Sequence, residues 1–462
     1  MAGSAPVASG GGTNKLVLVM AVTAALGGLL FGYDTGIISG ALLFIREDFG
    51  LSDAAQQTVV GSLLFGAVLG ALIAGPLTDR AGRRTAILAA AVVFALGSLA
   101  AALATGAWVL VVARFFLGLA IGSAAASVPV YIAEIAPRRV RGRLVSLQQF
   151  AITLGILLSY VVGYLLSFAE AWRWMLAIGA VPAVVLFVGM LFLPESPRWL
   201  IGRGREAAAR AIMQRTQDPD EDVEELITEI KALEREEGSG TYRELFSPAV
   251  RPALTVGVGI AFFNQMVGVN AVIYYAPTIL ERAGLGTSAA LLSTVVIGVV
   301  NSLVTGAALL SIDRLGRRPL LLTGMSGVVL ALFVLGLAYL LPAQSGFVGI
   351  ILVLGLMVYI ASFAASLGLG IWLLNSEVYP LKVRGKGSSA GSLTHWVLDL
   401  IIASSVLTLI NTITATGMFW LYGFFGIIGI LFVYRMVPET KDRTLEEVDA
   451  ELMRRAQRGV TA

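Results

Sequence analysis

The chain of 462 residues is 57% hydrophobic and only 14% charged, with a mean hydropathy of +0.84, which excludes an ordinary soluble domain and makes lipid its main solvent. It has no cysteine and a single histidine, His395, so disulfide frameworks, thiolate sites and multi-histidine metal centres are ruled out and no cofactor is expected. The net charge of +3 sits in short loops between apolar stretches, a pattern of membrane topology and not of a nucleic-acid-binding face.

Residues 1–15, rich in Gly, Ser and Ala, lack the apolar core of a signal peptide and are expected to form a disordered tail. Twelve stretches follow, each suited to a hydrocarbon core about 30 Å thick. They lie near 16–43, 59–76, 85–105, 108–131, 144–167, 172–193, 251–280, 289–312, 319–341, 346–376, 388–412 and 417–437. None shows the ten-residue alternation of a β-barrel strand, so an all-α membrane protein is expected. Gly66 with Gly70, and Gly118 with Gly122, have the spacing that lets membrane helices pack closely. Gly368 and Gly370 are expected to let the tenth span bend beside Trp372. The hydrophilic segment 194–250 carries Leu226, Ile230 and Leu233 at helical spacing among acidic residues, which predicts short amphipathic helices along the cytoplasmic face. Residues 438–462 form a polar tail.

Lys and Arg mark cytoplasmic loops. Arg80, Arg83 and Arg84 follow the second span, and Arg138, Arg139, Arg141 and Arg143 the fourth; Arg314, Arg317 and Arg318 follow the eighth, and Lys382, Arg384 and Lys386 the tenth. The opposite loops hold Arg46, Arg173 and Arg282, so both termini are expected in the cytoplasm of a cell, in a multi-pass plasma or bacterial inner membrane.

The chain is also written twice. Asp79-Arg80-Ala81-Gly82-Arg83-Arg84 recurs 234 residues on as Asp313-Arg314-Leu315-Gly316-Arg317-Arg318. Glu134 and Arg141-Gly142-Arg143 recur 243 residues on as Glu377 and Arg384-Gly385-Lys386, and Pro194-Glu195-Ser196 recurs 244 residues on as Pro438-Glu439-Thr440. Three matches in one order at nearly one offset imply two homologous six-helix halves, 16–193 and 251–437, enclosing a site at the midplane.

Charges within the bilayer mark function by default. Asp34 lies roughly 27 Å along the first span and Arg114 about 9 Å from the outer end of the fourth. Both fall in the outer half of one bundle, where a carboxylate paired with an arginine can exchange that partner for a proton. The repeated acids Asp79, Glu134, Asp313 and Glu377, beside Arg83, Arg84, Arg141, Arg317, Arg318 and Arg384, are expected to latch the two halves together on the cytoplasmic side.

With these motifs, and with Gly32-Tyr33-Asp34, Pro194-Glu195-Ser196-Pro197-Arg198-Trp199-Leu200 and Pro438-Glu439-Thr440-Lys441, the chain from about 20 to 450 resembles the sugar porter family of the major facilitator superfamily. The resemblance implies sugar contacts from Gln149, Asn264, Gln265, Asn270, Asn301 and Trp372. It also supports the coupling role of Asp34. Amides that both donate and accept suit a ring of hydroxyls, and Trp372 or Trp396 would supply an aromatic platform. Asn264 stands where the family commonly has glutamine. His395 and Asp399 stand where it commonly has amides, so His395 is expected either to contact sugar or to share a proton with Asp399, four residues on. The expectation is a non-enzymatic, monomeric proton symporter of a monosaccharide, working by alternating access. The alternatives are a facilitative uniporter, a cyclitol symporter such as one for inositol, or a non-transporting sugar sensor.

Overall fold

In hydrocarbon every backbone polar group must be satisfied within its own segment, and helices do so. The structure, a computed structural model, describes residues 14–218, 220–236, 241–341, 346–441 and positions 443, 447, 448, 451, 452 and 454. Of the expected tail at 1–15, residues 1–13 lie outside them, whereas Asn14 caps the first helix and Lys15 begins it. The first half is α1 (Lys15–Asp48), α2 (Asp53–Ala81), α3 (Arg83–Ala102), α4 (Ala107–Ile135), α5 (Arg141–Ser167), and a sixth span divided into α6 (Trp172–Ala177) and α7 (Ala180–Leu191). Four short helices follow: α8 (Pro197–Gly202), α9 (Glu206–Thr216), α10 (Val223–Glu236) and α11 (Tyr242–Leu245). The second half is α12 (Arg251–Met266), α13 (Val269–Arg282), α14 (Thr287–Leu315), α15 (Arg317–Ala338), α16 (Gly346–Ala365), α17 (Leu367–Glu377), α18 (Arg384–Ala403) and α19 (Val406–Met436).

Among the described residues, eleven helical stretches are long and apolar enough to cross a membrane, counting α6 with α7, α12 with α13 and α16 with α17 as single spans. The twelfth is α18, whose polarity comes from Arg384, Lys386, His395 and Asp399 and whose neighbours are α2, α12 and α13. The helix is interrupted at Ser404 and Ser405, where the Ser405 hydroxyl turns back onto the Ile402 carbonyl, and resumes at Val406. The α19 stretch joins two helices across Thr414 (φ 66°), so the eleventh span runs on to Ile413, close to the expected 412, and the last span follows from Ala415 to Met436.

Within the first half, helices meet backbone to backbone. A Cβ on Gly118 would lie 1.9 Å from the Leu63 carbonyl oxygen, and one on Gly66 2.1 Å from that of Phe115, so α2 and α4 touch only because these side chains are absent. Across the halves, α1 packs on α13, α2 on α18 and α19, and α5 on α14. Leu200, Ile201, Ala209, Met213 and Ile227 give α8 to α10 their own small core, with Leu226 and Ile230 packed against it; the Leu233 side chain lies outside the described residues. Trp199 donates to the Asp79 carbonyl and Arg138 pairs with Glu229, which fixes these helices to the basic-loop end of the first half.

Candidate functional site

The seventh span breaks at its centre. Gly268 takes a left-handed turn (φ 79°) that L side chains rarely adopt, and the Tyr422 ring occupies the space where its Cβ would stand. Tyr359 donates to the carbonyl of Val267 at 2.8 Å, satisfying a group the break leaves free. The break places Asn264 and Gln265 at the end of one half-helix and Asn270 at the start of the next, so the amide cluster is a property of the broken backbone. Asn270 donates to Gln265 Oε1 at 3.1 Å, and Gln265 Nε2 faces His395 Nδ1 at 3.1 Å. The His395 ring lies 5.2 Å from Trp372 and 5.6 Å from Trp396, and Trp396 reaches Phe31 of the other half at 5.4 Å. Amides and aromatic faces thus meet between the halves.

Asn264 is used differently. Its amide donates to the carbonyl of Leu367 at 3.0 Å, where the tenth span breaks at Ser366 (φ −128°, ψ −88°) just before Gly368 and Gly370. It is a tie between two broken helices. Trp372, one turn beyond, is 37% exposed, whereas Trp396 is buried, which makes Trp372 the available platform. Asn301 is buried and Gln149 half-buried on the facing helices α14 and α5. His395 and Asp399 share a face of α18 but are not bonded to each other: His395 takes Gln265, while Asp399 lies beside Asn270 with Oδ1 unpartnered.

Asp34 and Arg114 come together as expected, Oδ2 to Nη2 at 3.3 Å, with the guanidinium wholly enclosed and its Nε donating to the Val59 carbonyl at 2.9 Å. A narrow crevice beside Asp34 is lined by Tyr33, Ile37, Phe94, Ser98, Leu117, Leu176 and Gly179.

The basic loops form two braces of one design, and each stays inside its own half instead of latching one half to the other. Arg83 pairs with Glu134 at 3.1 Å and with Asp79 at 3.5 Å; Arg317 pairs with Glu377 at 3.2 Å. The reason is topological, because α3 packs directly on α4, as α15 does on α17. Arg84 donates to the carbonyls of Met190 and Leu191, and Arg318 to that of Tyr434, which caps the last span of each half. Arg141 and Arg384 each reach a backbone carbonyl five residues earlier, of Ala136 and Tyr379. The Asp313 side chain lies outside the described residues.

Two acids that sequence reasoning quoted as motif without assigning a role complete the braces. Glu195 accepts the N–H groups of Arg83 and Arg84 at the start of α3, and Glu439 those of Arg317 and Arg318 at the start of α15. Gly82 and Gly316 leave space for them, since a Cβ there would meet the carboxylates. Burial pushes Glu439 upward, but hydrogen bonds from the backbone N–H groups of Lys441, Arg317, Arg318 and Thr440 outweigh it and hold the carboxyl below the usual glutamate range. Their signal was the recurrence of Pro-Glu-Ser as Pro-Glu-Thr: Ser196 and Thr440 donate to Glu134 and Glu377.

Polar ties between the halves gather at the opposite end. Arg46 pairs with Glu281 at 2.9 Å and Arg282 with Asp53 at 3.0 Å, Asn411 donates to Asp53 at 2.8 Å, and Gln57 to Thr408 at 3.0 Å.

Two six-helix halves around a site of broken helices, with paired braces at one end and ties at the other, define a membrane transporter of the major facilitator type. The chain belongs to the sugar (and other) transporter family, whose model matches residues 20–452. It is 42% identical to the D-xylose transporter of Levilactobacillus brevis over 93% of this chain and 94% of that one. It is 36% identical to the galactose-proton symporter of Escherichia coli (strain K12) over 96% of each. Among solved structures it is similar to the proton:xylose symporter XylE, from E. coli, bound to 6-bromo-6-deoxy-D-glucose, with a TM-score of 0.80, 32% identity, and 96% of this chain and 100% of that one covered.

Proposed function

We propose that this protein is a proton-coupled symporter that carries a monosaccharide across the cell membrane by alternating access, with Asp34 as proton carrier and Arg114 as its partner. The observation that carries the reading is the enclosed Asp34–Arg114 pair in the same interior as the amide and aromatic cluster. A charge pair sealed from water has a reason to exist where one member is neutralised during a cycle. Gln149, Gln265, Asn270, Asn301 and Trp372 bind the sugar, with His395 holding Gln265 in place, and Asn264 sets the position of the broken tenth span. The relatives named for xylose and for galactose with protons support both the substrate class and the coupling. The segments 16–193 and 251–437 move as halves, 194–250 links them, and both termini are cytoplasmic with the basic loops. The ties at the other end then close the outer entrance, and the protein works as a monomer.

The test is uptake into proteoliposomes of labelled xylose, glucose, galactose, arabinose and myo-inositol, with and without an imposed pH gradient. Accumulation of one monosaccharide above equilibrium only with the gradient is expected. Uptake that equilibrates regardless of the gradient makes the protein a uniporter. Preference for myo-inositol moves the substrate to the cyclitols, and failure to move any of them leaves a sensor.

A further inference from the structure

At the basic-loop end of the second half, α12, α18 and α19 do not close against one another, and a groove of about 860 Å³ opens between them. That is the size of a small-molecule site, roughly 300–1,000 Å³. Its floor lies where Phe432 of α19 rests on Gly259 of α12, so closely that a Cβ on the glycine would stand 2.2 Å from the ring. Leu254, Val258 and Phe262 recur at four-residue spacing along α12 and form one wall, with Leu393 of α18 opposite. The hydroxyls in the lining, of Thr255 and Thr394, donate to the carbonyls of Arg251 and Ala390 within their own helices, so the interior offers an occupant mainly apolar contact. Thr255 and Leu393 are exposed, which makes the groove open outward, where a membrane protein meets lipid.

The mouth has a different chemistry. Arg251, the first residue of α12, lines the groove there; it is exposed, and its guanidinium has no hydrogen-bond or ion-pair partner among the described residues. Phe246, 69% exposed, lines the same mouth. Just before it, α11 docks on α18 and on the turn Leu381–Val383, and the Tyr242 ring lies 5.6 Å from the ammonium of Lys386. The acid of this segment, Glu244, is turned back on its own helix, where it accepts the N–H of Thr241. The end of the groove is therefore basic while its length is apolar. From Arg251 to Phe262 the helix rises roughly 16 Å at 1.5 Å per residue, which is the depth of one leaflet of a hydrocarbon core about 30 Å thick.

We propose that this groove binds an anionic phospholipid from the leaflet on the basic-loop side, with an acyl chain along Leu254, Val258 and Phe262 and the phosphate held by Arg251. Lys386 adds to the positive field at the same end. Three features select this occupant. The sign of the charge at the mouth calls for an anion, the apolar length calls for a chain attached to it, and the depth matches a single leaflet. A free phosphate would leave the groove unfilled, and a zwitterionic lipid would set a headgroup of no net charge against the unpaired guanidinium. The site uses neither the Asp34–Arg114 pair nor any proposed sugar contact, so it does not depend on the symport reading.

Native mass spectrometry of the full chain in detergent, titrated with phosphatidylglycerol, phosphatidylcholine or inorganic phosphate, reads the fraction of molecules that carry one adduct. Phosphatidylglycerol should half-saturate one site at a concentration roughly fivefold or more below that needed for phosphatidylcholine, and inorganic phosphate should give no adduct. Arg251→Gln should raise the half-saturating phosphatidylglycerol concentration roughly fivefold, equal to about 1 kcal/mol for one basic side chain at an anionic lipid, and leave phosphatidylcholine unchanged. Thr255→Trp sets an indole in the groove from its exposed rim while keeping every charge, and should abolish the site for both lipids. Equal binding of the two lipids by wild type would overturn the headgroup assignment and leave the groove filled by bulk lipid. Undiminished phosphatidylglycerol binding in both variants would put the lipid elsewhere and overturn the site. A phosphate adduct that Arg251→Gln removes and Thr255→Trp retains would make Arg251 a free-anion site and overturn the lipid.

Discussion

Replacing Asp34 with asparagine separates coupling from architecture. The side chain keeps its shape and an oxygen to accept from Arg114 Nη2, which lies 3.3 Å from the native carboxylate. What is lost is the charge opposite a guanidinium that is 0% exposed and already has one nitrogen unpartnered. Breaking one side of a buried pair costs about 3–5 kcal/mol, so a marked fall in melting temperature is expected in detergent. Function should fail in a different way. One proton per sugar and a gradient of one pH unit supply about 1.4 kcal/mol, enough for tenfold accumulation. Wild-type proteoliposomes should approach that ratio, and Asp34→Asn should stop near unity while still exchanging labelled for unlabelled sugar, since exchange need not move a proton. The double variant Asp34→Asn with Arg114→Gln removes both charges and should recover much of the stability with no recovery of accumulation. Tenfold accumulation by Asp34→Asn refutes the assignment. Recovery of accumulation together with stability in the double variant would reduce the pair to a structural bridge.

Gln265→Ala should weaken sugar binding by about 1–3 kcal/mol, roughly 5- to 150-fold, measured by tryptophan fluorescence titration; unaltered affinity with lower yield alone would make the cluster a packing feature. Glu439→Gln should lower the melting temperature at neutral pH. Because the folded carboxyl is held below its ordinary range, its contribution is present above that range and disappears as pH falls through the lowered value, so wild type and variant should converge in acid. A difference that is independent of pH would contradict this. Arg282→Gln removes an ion pair to Asp53 at the closed end, and a cysteine introduced near Thr408 should then be labelled faster from that side.

How much of this was legible depended on whether a feature is local or arises from contact. The twelve spans follow from length and apolarity, and the two halves from the recurrence of charged motifs at nearly one offset, so both were readable. The end of the eleventh span near 412 was readable too, but its interruption at Ser404 and Ser405 was not, since residues 404–413 mix Ser, Thr and Asn with aliphatic residues and pass as one helix. In the site, residue types announced themselves, but their use did not. Asn264 was read as a sugar ligand, and what sequence could not show is that its amide N–H is held by the Leu367 carbonyl, exposed by a break a hundred residues away in sequence, while its Oδ1 has no partner. The braces were read as a latch between halves because sequence places acids and bases in each half without saying whether they pair within it or across.

The placement of rigid and breakable contacts explains how such a body can alternate. Each brace combines a helix N-terminus held by a glutamate, an arginine on a second glutamate and another on the carbonyls of the last span, all inside one half. Losing any one contact leaves the rest of the brace in place, so each half keeps its shape as it turns. The closing ties are of another kind, a few partly exposed ion pairs and amides of the Arg282–Asp53 and Gln57–Thr408 type, each worth about 1 kcal/mol or less. Under the proposed cycle, breaking these polar ties costs only a few kcal/mol, a sum of the size that sugar binding and a change of charge at Asp34 would supply. The asymmetry between strong contacts within halves and weak ones between them is what lets small energies at the centre decide which end is open.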